Sequence, residues 1–352
     1  MGNPRKGRLL EQAVTTPEFQ LAFLNKVQRL FAEGDFAASY KYALLIAIAD
    51  IAVESGWDND MPLTIPHRSL GEKFIELYWQ QSAPFRHGGV LIQNNGLQAA
   101  VISQIAQFRN QTKANTVNAA RSALGFKSLL TKITRIVVDK PVFHIQNLGG
   151  KKEVFLFEDG SDSITLLPGV SYCLRRFQPL VQQLARTHWV GHIKRNKQNT
   201  HLIGQDKDLE SFLFDSSKQS LAIVQTGLRK ITNKCFYCGK SVTEADVDHF
   251  IPHSLYPRNL AHNFVLADPA CNRSKSDTLA AKQHLSKWLE FAQTNADNLS
   301  QIGYDAGIMS DEDSMGSVAR WGYANAVAGG AQGWIRSAQY EAIDDSYLRL
   351  WV

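Results

Sequence analysis

The stretch from Ala245 to Asp277 sets an acid beside an imidazole, Asp248 and His249, then offers two asparagines, Asn259 and Asn263, and then Cys271, Asn272 and Lys275. It begins just after Cys235-Phe236-Tyr237-Cys238. Such residue types can move a proton and hold a metal ion. His249 can supply the base, because an unperturbed imidazole pKa of about 6.5 suits proton abstraction near neutral pH. The CxxC at Cys235 and Cys238 reads as a metal knuckle, with Cys271 as a third thiolate for a structural Zn²⁺ that requires a fourth ligand. Asp268 and His262 are the candidates for that place, and Asp268 has a rival use as a helix N-cap. Taken singly, each residue also has a plainer use: a core histidine, an asparagine bonded to a helix start, a solvated lysine.

Taken together, the residues resemble the ββα-metal module of HNH nucleases. The matching elements are Cys235 to Cys238, Asp248-His249-Phe250-Ile251-Pro252, Asn263-Phe264-Val265-Leu266 and Cys271-Asn272-Arg273-Ser274-Lys275. The module is especially similar to the HNH domain of RNA-guided CRISPR nucleases, which also reads Val-Asp-His, a loop, Asn, then Asn-Arg with Lys-Ser-Asp following. The likeness covers Leu228 to Phe291, a minority of the chain. It implies that Asp248 and Asn272 hold one hard cation, Mg²⁺ (or Mn²⁺), that Asn263 pins the loop and orients the imidazole, and that Lys275 approaches a phosphate. His253, in the same loop, is a further candidate at the phosphate. Where many HNH modules have a second CxxC, this chain has Asp268-Pro269-Ala270-Cys271, which makes Asp268 the tentative fourth zinc ligand. The activity implied is a metal-dependent DNA endonuclease of bacterial restriction or antiphage defence. A homing or mobile-element nuclease, and a zinc-bearing DNA-binding protein without catalysis, are the alternatives.

Elements must hold these groups in place. Val247 to Ile251 and Phe264 to Leu266 read as short strands flanking a structured loop, and Asp268-Pro269 as an N-cap and first-turn pair opening a helix to about Phe291, with Leu285, Trp288, Leu289 and Ala292 on one face. Upstream, Thr16-Pro17 opens a helix to Glu33, stopped by Gly34, and Phe36 to Ser55 is apolar nearly all round and closes at Gly56. Ser69 to Gln81 and Asn95 to Gln111 are two further helices, with Phe74, Tyr78 and Trp79 as core. Runs at Ile136–Val138, Val142–Ile145 and Val154–Phe157 predict a small antiparallel β meander. Helical patterning returns over Val170–His192 and Ser216–Lys230. A polar, acidic connector follows Phe291, and Val318–Ala328 and Trp334–Tyr340 resume helical patterning, with Trp321, Trp334 and Trp351 anchoring a tail that folds back on the body.

The expected class is α+β: a helical domain over residues 1–125, the β meander with a basic helical region over 126–232, the HNH module over 233–292 and a helical tail over 293–352. With 352 residues, 44% of them hydrophobic, the chain can bury a proper core. Its longest apolar run, Ala43 to Ala49, is cut by Asp50, so no membrane span is expected, and the N-terminus lacks the apolar stretch of a secretory signal. A cytoplasmic address follows. Of four cysteines, Cys173 lies apart and reads as a core thiol. The formal charge of +5 is modest, yet Arg175, Arg176, Arg186, Lys194, Arg195, Lys197, Lys207, Lys218, Arg229, Lys230 and Lys234 face few acids in the segment leading to the motif. That bias suits phosphate binding. DNA is the expected partner, with room for a protein partner or a second copy at the N-terminal region.

Overall fold

Thr16 caps the first helix as its type suggests. Its hydroxyl accepts the Phe19 N–H at 3.2 Å, Pro17 fills the first turn, and α1 runs Pro17–Glu33. The computed structural model describes residues 15–55, 61–86, 88–204, 208–215 and 218–351. The stretch Met1–Gln12, the Gly56 stop, Lys207 and the expected helix start at Ser216 lie outside them. The first half continues with α2 (Tyr40–Ser55), β1 (Thr64–Pro66), α3 (His67–Trp79), α4 (Ala100–Thr112), α5 (Val117–Ser122), α6 (Phe126–Val137), β2 (Asn147–Leu148), β3 (Lys151–Lys152), β4 (Phe157–Asp159), β5 (Ser163–Leu166), α7 (Val170–Arg176), α8 (Gln178–Arg195), α9 (Thr200–Ile203) and α10 (Leu209–Phe214). Because α2 is apolar on every side it is enclosed on every side, from Tyr40 to Val53, by α3, α7 and α8 among others.

The strands expected at Ile136–Val138 and Val142–Ile145 are helical instead. Leu129, Leu130, Ile133 and Val137 line the buried face of α6, which packs on α3, and the chain leaves it through a π-turn at Val138–Val142. Helical periodicity over the longer window overrides the β preference of three branched residues. The sheets are small and antiparallel: β5 lies between β1 and β4, and β2 pairs with β3. The class is α+β, as the sequence suggests.

The second half holds α11 (Lys218–Ile231), β6 (Asp246–His249), β7 (Phe264–Ala267), α12 (Pro269–Lys275), α13 (Lys282–Thr294), α14 (Ala296–Ala306), α15 (Glu312–Gly329), β8 (Gln332–Arg336), β9 (Gln339–Ala342) and α16 (Asp345–Leu348). Three expectations change here. The helix opened by Asp268 is two helices, because Ser276 turns to φ 48° and residues 279–281 give their backbone to β8: Trp334 N–H donates to the Leu279 carbonyl and Ala281 N–H to the Trp334 carbonyl, each at 2.8 Å. Gly333 permits this approach, since a Cβ there would sit 3.1 Å from Ala281 Cα. Trp334–Tyr340 is accordingly a hairpin, reached after Gly330 ends α15 with φ 64°. The polar, acidic connector after Phe291 holds α14 and the start of α15, whose N-cap is Asp311 and whose first turn carries Glu312 and Asp313.

Among the described residues the buried apolar side chains gather in two clusters. One draws on residues 23–213 and includes Cys173; the other draws on residues 224–347 and also takes Val53 from the end of α2. Within the second, Trp288 stacks on Phe250 with centroids 4.8 Å apart, and Trp321 and Trp334 are fully enclosed. Trp351 packs half-buried at its edge. Among the described residues no helix is long and apolar enough to cross a membrane.

Candidate active site and metal knuckle

β6 and β7 pair antiparallel, with Asp246 opposite Ala267, Asp248 opposite Val265 and His249 opposite Phe264. Alternation along β6 gives Asp246 and Asp248 a common face, and α12 packs against the strand. Asn272 Nδ2 donates to Asp246 Oδ2 at 3.0 Å. One turn on, Lys275 is fully buried, its Nζ 3.1 Å from Asp248 Oδ2 and donating at 2.9 Å to the His249 carbonyl. Tyr237 Oη donates to the same Asp248 oxygen at 2.5 Å. Burial pulls the Lys275 pKa below the ordinary lysine value although Asp248 opposes it. Lys275 is therefore enclosed against a carboxylate rather than directed outward to a phosphate. Asp246, which the sequence reading passed over, is legible in retrospect as the first acid of an Asp-x-Asp alternation.

His249 closes β6. Its Nε2 lies 2.6 Å from Asn259 Oδ1, and the ring packs on Phe264 and His253 at centroid distances of 4.8 and 5.1 Å. Burial lowers its pKa, with the Asn259 bond and the Asp248 charge opposing. Asn263 pins the loop as expected: Oδ1 accepts the Ile251 N–H at 2.8 Å and Nδ2 donates to the Ile251 carbonyl at 2.9 Å. Both ends of the amide are thus engaged with Ile251, and the imidazole is oriented by Asn259, not by Asn263. His253 is pushed down to about 4, chiefly by burial and then by His249 and Arg186, so at neutral pH it is an uncharged ring beside His249.

The thiols of Cys235, Cys238 and Cys271 lie within 4.8 Å of one another. The knuckle forms because Gly239 takes φ 73°, letting its N–H reach the Cys235 carbonyl at 2.9 Å, while Cys235 N–H donates to the Lys240 carbonyl at 2.8 Å. Burial and the neighbouring Cys235 push the Cys271 thiol up to about 12. Three thiolates so crowded repel one another unless a cation sits among them, and thiolate donors at this spacing fit Zn²⁺. Asp268 Oδ1 accepts the N–H groups of Ala270 and Cys271 at 2.8 and 3.3 Å, which is the N-cap of α12, while its charge still bears on Cys238. His262 is not among the groups the fold draws together with the thiols: it is buried where the charges of Glu312 and Asp311 reach it.

The loop between the strands is tied to the first half of the chain. Arg258 lies between two acids, Nη1 at 3.3 Å from Asp50 Oδ2 on α2 and Nη2 at 2.6 Å from Glu76 Oε2 on α3. Tyr256 Oη donates to Glu54 Oε1 at 2.6 Å, and Arg186 Nη2 of α8 donates to the Pro257 carbonyl at 2.5 Å. Lys73 pairs with Glu54 at 2.7 Å and Arg121 with Glu76 at 2.8 Å. Burial works to raise the Glu76 pKa, but Lys73, Arg258 and Arg121 hold it down at about 2. Burial raises Asp50 to about 6 against the pull of Arg258 and Lys73. Two cations expected on a phosphate-facing surface are thus internal: Arg186 serves this loop, and Arg175 donates to the Ala52 and Val53 carbonyls at 2.9 and 3.0 Å.

Residues 21–213, more than half of the chain, match the family model described as a domain of unknown function, DUF8808. The chain belongs to that family. Residues 235–281 match the HNH endonuclease model, so an HNH domain follows the DUF8808 region. No curated protein and no solved structure matches the chain. The DUF8808 match ends at 213, where the first apolar cluster also ends, and the loop anchors Asp50, Glu54, Glu76 and Arg186 all lie inside it. The HNH match contains every group on β6, β7 and α12 and all three thiols.

Proposed function

We propose that this chain is a metal-dependent DNA endonuclease, hydrolysing phosphodiester bonds at the HNH domain in the cytoplasm, in bacterial restriction or antiphage defence. The observations that support it most are two on one strand: His249, held through Nε2 by Asn259, stands next to Asp248 in β6, and Asn272 bonds Asp246 where α12 packs on that strand. With Asn259 Oδ1 facing the ring, Nε2 carries the proton and Nδ1 the lone pair. Nδ1 then takes a proton from water, the water oxygen bonds to phosphorus, and the P–O bond to the leaving sugar oxygen breaks. Asp248 and Asn272, with Asp246 beside them, offer oxygen donors that suit Mg²⁺ or Mn²⁺. Such a cation, when bound, supplies charge relief at the phosphate. Cys235, Cys238 and Cys271 would hold Zn²⁺, with Asp268 Oδ2 as the fourth donor. The zinc would tie the knuckle to the start of α12, and so to Asn272, without meeting substrate.

In this reading the DUF8808 region receives the target or a protein partner. The test is purified protein with Mg²⁺ or Mn²⁺ on plain, methylated, phosphorothioated and single-stranded DNA. Metal-dependent nicking that EDTA stops is the expected result. Equal rates in EDTA overturn metal dependence, and an intact plasmid under every condition leaves DNA binding without catalysis.

A further inference from the structure

We infer that Asp50 and Glu76 of the DUF8808 region are positioning residues for His249, acting through Arg258 and Asn259. This rests on the reading of His249 as the base. The loop from β6 to β7 carries both ends of the link. Asn259 meets the imidazole at 2.6 Å, and the residue before it, Arg258, is fixed between Glu76 at 2.6 Å and Asp50 at 3.3 Å. Tyr256 and the Pro257 carbonyl are held by Glu54 and Arg186, so three consecutive residues leading into Asn259 are tied to helices of the other region.

On its other side this segment faces open space. Glu76, Arg186, Arg258 and Asn259 border a cavity of about 340 Å³ between the two halves of the chain. The contacts of Arg258 with Glu76 and Asp50 hold the segment at the edge of this cavity. A peptide chain transmits a shift at Arg258 directly to Asn259, and a displaced Asn259 frees the ring to exchange tautomers. Removing the hydrogen bond to one ring nitrogen removes what selects which nitrogen is protonated. The dull alternative is that the ion pairs only join two bodies, which would alter stability and leave the ring alone.

The experiment uses the full chain and four variants: Glu76→Gln, Arg258→Lys, Asn259→Ala and the double variant Glu76→Gln/Asn259→Ala. Single-turnover cleavage, DNA affinity and the ¹⁵N signals of the His249 ring are measured, with His249→Gln assigning the ring. Glu76→Gln and Arg258→Lys should each slow cleavage about tenfold with affinity unchanged, and should shift the ring nitrogens toward a mixture of tautomers. The double variant should be no slower than Asn259→Ala alone, because residues acting through one contact are not additive. Arg258→Lys keeps the charge but loses the two-pronged grip, and carries the test if Glu76→Gln does not fold. Wild-type ring signals in Glu76→Gln and Arg258→Lys, or losses that multiply in the double variant, overturn the inference. Failure of the nuclease reading looks different: wild-type protein does not cut, while the ring signals still decide whether the acids position His249.

Discussion

Lys275 Nζ lies 3.1 Å from Asp248 Oδ2 inside the protein, so the carboxylate expected to bind a cation already has one, supplied by the chain one helical turn beyond Asn272. A divalent ion arriving at Asp248 meets a competitor. Lys275→Met should leave Asp248 buried without its counter-charge, and removing one partner of a buried pair costs about 3–5 kcal/mol. Mg²⁺ should restore much of that loss in the variant and add little to wild type. Thermal unfolding with and without Mg²⁺ checks this, and a variant as stable as wild type would deny Asp248 any need of a cation.

His249→Ala should lower the cleavage rate about 10²–10⁴-fold, the usual range for a missing general base, while DNA binding and melting temperature stay close to wild type. Asp246→Ala should also slow cleavage, since it strips Asn272 of its 3.0 Å partner. Gel-based nicking and a fluorescence binding assay read the two effects separately. Undiminished cutting by His249→Ala would end its assignment as the base.

The acid side of the pH profile follows from burial. His249 titrates below the ordinary histidine value, so its ring stays neutral and able to accept a proton as pH falls through about 6.5, and cleavage should decline only at lower pH. Stability behaves differently. The unfolded chain binds protons on His249 and His253 near pH 6.5 while the folded chain resists, so folding weakens as pH drops below that value and continues to weaken towards about 4, where His253 titrates in the folded state. His253→Gln should flatten this loss in melting temperature between pH 6.5 and 4.

Elemental analysis should find about one zinc per chain, and chelation or Cys235→Ser should remove it and loosen the HNH domain. Asp268→Asn separates two uses of one side chain. An amide still caps α12 but binds zinc poorly, so the variant should keep its helix and lose zinc affinity. Full zinc content in Asp268→Asn would leave Asp268 as the cap alone.

The parts of the site that the sequence made legible are local ones. β6, β7, the Asp268-Pro269 start of α12 and the three thiols fall within one short stretch whose spacing carries the information. What escaped depends on distant chain. Nothing in the loop distinguishes Asn259 from Asn263 as the partner of His249, since either reaches it or not according to how the loop is folded, and the acids that fix the loop lie in α2 and α3. Arg175 and Arg186 look like surface charge until carbonyl oxygens of α2 and of the loop are seen to take them up. The break at Ser276 and the strand at Trp334 are likewise set by each other, since residues 279–281 pair with β8 rather than continue a helix.

Helix α2 contributes to both apolar clusters and its acids reach across to the HNH loop through Asp50 and Glu54. The HNH half is consequently not a cassette that can be cut out and transplanted: severed from α2 and α3 it would expose a hydrophobic face at Val53's seat and strand Arg258 without counter-ions. A chimera joining this HNH domain to a foreign partner would have to bring α2 and α3 with it, since they carry Val53, Asp50 and Glu76.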